Sequence, residues 1–109
     1  MVRLKQKDKA NEELRKLRVK IDRIDKNIIK QLHKRWTIAQ KMKKLKKRFG
    51  IKIVEDTRVR DMKLKHGTAA KKFIVPEDVI QKVFSVIIRE SLKHQKGKTI
   101  KKRNIKVRK

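Results

Sequence analysis

The sequence predicts an all-α protein of three helices, a long first, a short second and a third, in a homodimeric helical bundle. Three observations predict it. Residues Leu14 to Lys46 carry one apolar stripe at helical spacing, neither Pro nor Gly occurs before Gly50, and Pro76 opens a second strongly periodic stretch. At 109 residues the chain has room for one domain, 10–96, between a basic lead-in at 1–9 and a basic tail at 97–109 that is expected to be disordered.

The first helix is expected to start near Ala10 or Asn11, where Asp8 or Asn11 could cap it and Glu12 and Glu13 suit the positive end of the dipole. Its stripe reads Leu14, Arg18, Ile21, Asp25, Ile28, Leu32, Arg35, Ala39, Met42, Lys46, all on one face. A helix of nearly forty residues spans about 55 to 60 Å. No other segment is long enough to cover that length, so the stripe calls for a second copy of itself, and a two-fold dimer is the simplest closed arrangement.

Gly50 suits a helix C-terminus because glycine tolerates positive φ. Ile51 to Val54 alternate too briefly for a strand and read as an extended loop. Glu55, Asp56 and Thr57 then offer a cap for helix 2, whose inward residues would be Val59, Met62, Ala69 or Ala70, and Phe73, with His66 and Gly67 interrupting it. Pro76 in a first turn, with Glu77 and Asp78 after it, starts helix 3. Its apolar face carries Val79, Ile80, Val83, Phe84, Ile87 and Ile88, and one line of it runs on from Phe84 and Ile88 into Ser91 and Gln95. Those two neutral polar groups sit four residues apart and can address one object.

Composition narrows the function classes. The absence of Cys removes disulfides and thiolate-bound metal and fits a reducing compartment, and no apolar run is long enough for a membrane span, so a cytoplasmic protein is expected. His33, His66 and His94 are dispersed and read as surface residues, and no phosphate loop or nucleophile set is visible. The net charge of +26 admits nucleic-acid binding, but 26 of the 37 basic residues are Lys spread over every segment, which also fits a Lys-rich or heat-adapted composition. The compositional reading outweighs the nucleic-acid one, which is confined at most to the tail, from Lys93 to Lys109, with nine basic residues and no acid.

The inward cations are more informative. Arg35 lies between Leu32 and Ala39, where it needs an anion: either an acid such as Asp25 or a ligand. Lys46 follows three turns later, about 16 Å along the axis, and two such long side chains could grip a small dianion, although Lys46 could also reach water at the helix end. Arg18 lies roughly 25 Å from Arg35 on the same rod, so one small ligand could touch both only if an antiparallel twin supplied its own Arg18.

The run Leu17-Arg18-Val19-Lys20-Ile21-Asp22-Arg23-Ile24-Asp25, then Arg35, Lys46, Thr57-Arg58, and Phe84 through Ile87-Ile88-Arg89-Glu90-Ser91 to Gln95, resembles the all-α chorismate mutases. The spacing agrees without gaps from Arg18 to Gln95. The resemblance implies an intertwined dimer of three-helix chains with two sites, each completed by an arginine of the partner. It implies the rearrangement of the dicarboxylate chorismate to prephenate, on the route to Phe and Tyr, with neither cofactor nor metal. By resemblance Arg35 and Arg58, with Arg18 of the partner subunit, would bind carboxylates, Ser91 would assist at the ring carboxylate, and Lys46 and Gln95 would hydrogen-bond the ether oxygen. One position departs from the pattern: members usually carry Glu directly after the second-helix arginine to receive the ring hydroxyl, and this chain has Val59. Glu55 or Asp56 could substitute in part. The related isochorismate pyruvate lyases share the fold and are associated with an apolar residue there, whereas the length of the loop between Lys46 and Arg58 matches the mutases. A basic helical nucleic-acid-binding protein is a third reading, but it gives no reason for Arg35, Lys46, Ser91 and Gln95 to lie on apolar faces and finds few aromatic residues for stacking.

Overall fold

The computed structural model describes residues 2–97 and is all-α: α1 Val2–Phe49, α2 Asp56–Lys72 and α3 Glu77–Gln95. The expected tail lies, apart from Gly97, outside the described residues. The chain divides into two compact units between Arg35 and Trp36.

The first unit is α1 up to Arg35. The helix begins at Val2, not near Ala10, so Asp8 and Asn11 are interior residues and cap nothing. The reason is propensity: Arg, Leu, Lys and Gln fill the first turns and lose little side-chain freedom in a helix, so no break is forced before Asn11. Glu12 joins Arg15 through two side-chain hydrogen bonds of 2.7 and 3.1 Å, and that contact holds the Glu12 carboxyl below its ordinary range. Within one chain the apolar stripe is uncovered: Leu14, Ile21 and Ile28 are all exposed.

In the second unit α2 and α3 form a helical hairpin. Ala70 is buried, and the His66 ring stacks on Phe84 with centroids 3.8 Å apart. Gln81 Nε2 donates to the Lys63 carbonyl at 2.9 Å, tying the helices together. Gly67 is buried too. A Cβ there would meet the end of the exposed Glu77 side chain at 2.8 Å, which a rotation of that side chain would relieve, and the residue expected to interrupt α2 lies inside the helix. Two of the three histidines are not surface residues: His66 and His94 are half-buried, His94 being stacked on Trp36 at 4.1 Å. The rings supply flat apolar area where the sequence is short of aromatics.

Capping follows the expected signals with small shifts. Glu55 is the α2 N-cap but makes no side-chain cap bond, and Pro76 is the α3 N-cap, whose carbonyl accepts from Ile80 N–H at 3.2 Å. Gly50 closes α1 at φ +66°, and Ile51 N–H returns to the Lys46 carbonyl at 2.8 Å, a Schellman closure. Phe73, expected inward, is instead the exposed C-cap of α2, and Val79 and Val83 of α3 are also exposed within one chain. The hairpin buries only the side on which its two helices meet.

Ile74 adopts φ +56° while 91% exposed. A β-branched residue in the left-handed region carries about 1 to 2 kcal/mol of steric cost, and exposure returns nothing within the chain. Replacement Ile74→Gly is therefore expected to raise stability by about 1 kcal/mol after the greater unfolded-state entropy of glycine is subtracted. A denaturant midpoint that falls or stays put would contradict this account of the turn.

Candidate active site

The site is built where three segments of the second unit end or begin: the last turn of α1, the loop to α2, and the last turn of α3. Lys46 Nζ donates to Gln95 Oε1 at 2.9 Å and to the Ile53 carbonyl at 2.7 Å. Lys46 and Gln95 are 49 positions apart in sequence, and Gln95 is only 4% exposed. The Schellman turn at Gly50 aims the chain so that the Ile53 carbonyl faces back toward α1. Its peptide oxygen and the Gln95 amide oxygen then share one ammonium group.

An ammonium has three hydrogens, and two are committed to Ile53 and Gln95, which leaves one to point elsewhere. Because the Gln95 oxygen accepts from Lys46, its amide nitrogen is turned the other way and presents two donors of its own. A cation and an amide N–H₂, held with respect to each other, make a pair of donors suited to one oxygen that gains negative charge. Ser91, one turn earlier on α3 and 7% exposed, continues the same buried polar line. The expectation that Ser91 and Gln95 extend the Phe84 and Ile88 line into the interior agrees with their burial, and they are the two buried polar residues among the described ones.

The remaining candidates are less enclosed. Arg58 is exposed in the first turn of α2, with a long contact of 3.4 Å to Asp61, which is weak and leaves the guanidinium able to turn to another anion. Glu55 is exposed at the N-cap, and Val59 is half-buried one turn on, its N–H bonded to the Glu55 carbonyl at 3.1 Å. Asp56, the other substitute acceptor, is exposed at the first residue of α2. Arg18 and Arg35 belong to the first unit, where Arg18 is exposed and Arg35 half-buried.

Sequence reasoning missed the Ile53 carbonyl, since a peptide oxygen has no residue type to betray it. It also missed the stack of Trp36 on His94, the neighbour of Gln95, although an aromatic and a histidine on two helix faces were a readable hint.

No grouping of His, Asp or Glu fit to hold a metal occurs among the described residues, and none of their helices is long and apolar enough to cross a membrane. The family model described as chorismate mutase type II matches residues 17–96, nearly three quarters of the chain. No solved structure matches.

Proposed function

Because this chain belongs to the chorismate mutase type II family, we propose that it is a homodimeric cytoplasmic chorismate mutase that converts chorismate to prephenate for phenylalanine and tyrosine synthesis. The observation that carries this reading is the Lys46–Gln95 hydrogen bond, which gathers a cation and an amide at one buried end of α3.

The reaction is a pericyclic rearrangement in which the ether C–O bond breaks as a C–C bond forms within one molecule. No proton has to move, so the protein needs no nucleophile or acid. It has to hold the enolpyruvyl arm over the ring and stabilise the negative charge that grows on the ether oxygen. The third hydrogen of Lys46 and the Gln95 amide N–H₂ are the donors for that oxygen, and they act most strongly in the transition state. Arg35 and Arg58 of the same chain, with Arg18 of the partner subunit, take the two carboxylates, and Ser91 assists at the ring carboxylate. The uncovered apolar stripe of α1 supports this division, since it calls for pairing with the α1 of a second chain. Such pairing would cover Leu14, Ile21 and Ile28, which one chain leaves exposed, and bring the partner's Arg18 toward the site.

A second reading is favoured by Val59. A side chain without an acceptor cannot receive the ring hydroxyl of chorismate, whereas isochorismate carries its hydroxyl elsewhere, so an isochorismate pyruvate lyase that releases pyruvate and leaves salicylate fits that position better. Incubation of the purified protein with each substrate separates the two: prephenate from chorismate supports the mutase, and pyruvate with salicylate from isochorismate supports the lyase. If the mutase reading holds, Val59→Glu is expected to raise kcat/KM on chorismate by about tenfold, the worth of one added hydrogen bond to an ion. A rate that does not rise would remove Val59 from the account of specificity.

A further inference from the structure

Beyond the active site, the first unit carries a row of cations that the proposed reaction does not use. Stepping by four and three along α1, the residues are Lys16, Lys20, Arg23, Asn27, Lys30 and Lys34, and all are exposed. At 100° per residue they lie within a narrow sector, turned away from Leu14, Ile21, Ile28 and Leu32. The two acids in this span, Asp22 and Asp25, fall outside the sector. One ion pair touches the row, a loose contact of 3.8 Å from Lys16 to Glu13.

This is not what an evenly spread charge looks like. Five cations and one neutral amide occupy six successive positions of a sector about 27 Å long, so their fields add along one line. Such a line complements a rigid polyanion with regular charge. We propose that this face of α1 docks B-form duplex DNA through its phosphates. A helix about 10 to 12 Å across fits the major groove, about 12 Å wide, whereas the corresponding groove of an RNA duplex is too narrow. The row has no aromatic residue on which unpaired bases could stack and a single amide, Asn27, able to read a base edge, so binding is to backbone and independent of sequence. The choice of DNA over an anionic lipid surface rests on the pairing proposed above, because a covered apolar stripe leaves the helix nothing to insert into lipid.

The test titrates a fluorescent 20-base-pair DNA duplex with the full chain over a salt series and reads the slope of log association constant against log salt. A triple variant, Lys20→Gln with Lys30→Gln and Lys34→Gln, is compared with a control of equal charge, Lys63→Gln with Lys71→Gln and Lys82→Gln, whose residues are exposed but off the row. The row variant is expected to flatten the slope by about 2.7, so that going from about 50 to about 200 mM salt costs it about 40-fold less affinity than it costs the parent. The control should keep the parental slope. Should the triple variant lose helix by circular dichroism, Lys34→Gln alone is expected to take about 0.9 from the slope. Equal flattening in the control, no binding by the parent, or preference for an RNA duplex or anionic vesicles over DNA would each overturn the proposal. Sedimentation of the same sample reports pairing of the chains separately, so failure of the dimer and failure of the DNA face are read apart.

Discussion

Replacing Lys46 with alanine is expected to lower kcat on chorismate by about 1000-fold while leaving the helical content unchanged. Removal of one preorganised donor at a developing oxyanion costs about 100- to 1000-fold, and this donor is also charged. The substitution has a second effect. Without the ammonium, Gln95 Oε1 loses its partner at 2.9 Å, and the amide is free to flip and present oxygen where N–H₂ is needed. The loss should fall on kcat more than on KM, because the ether oxygen carries little charge in the ground state. Lys46→Arg should not restore the rate, since a planar fork cannot place three hydrogens around one tetrahedral nitrogen. A loss under tenfold would mean that the pair formed by Lys46 and Gln95 is structural.

The mixed dimer is expected to give the second large effect. Arg18→Ala and Lys46→Ala should each be almost inactive alone. If each site draws Arg18 from one chain and Lys46 from the other, a dimer of one variant with the other holds one intact site and one doubly damaged site. Purified through two different tags, that mixed dimer should show about half of the wild-type rate per dimer, and an unsorted equal mixture about a quarter. Within a single chain Arg18 is exposed on α1, which is where a residue lent to a neighbour should be. No recovery in the doubly tagged dimer would mean that Arg18 does not act in trans.

Much of the fold is legible in the residues alone. The three helices were legible because periodicity, Gly50 and Pro76 mark them. The burial of Ser91 and Gln95 was legible because two polar residues continue an apolar line. The start of α1 was not, because Asp8 and Asn11 look like caps, and only a count of helix-forming residues upstream argues otherwise. Phe73 read as core from its spacing, yet it falls on the cap, where the helix no longer sets its direction. His66 and His94 read as solvated for want of partners in sequence, and each found an aromatic ring on another helix. The role of Arg35 depended on the resemblance, since an ion pair and a ligand contact leave the same trace in the sequence.

The Ile53 carbonyl that holds Lys46 belongs to the main chain, and this has an evolutionary consequence. Side chains at position 53 can drift among many alternatives without abolishing that acceptor, because every amino acid brings the same oxygen. What the loop cannot tolerate is a change of length between Gly50 and Glu55, which would carry the oxygen out of reach. Natural variation there should thus be rich in replacements and poor in insertions or deletions.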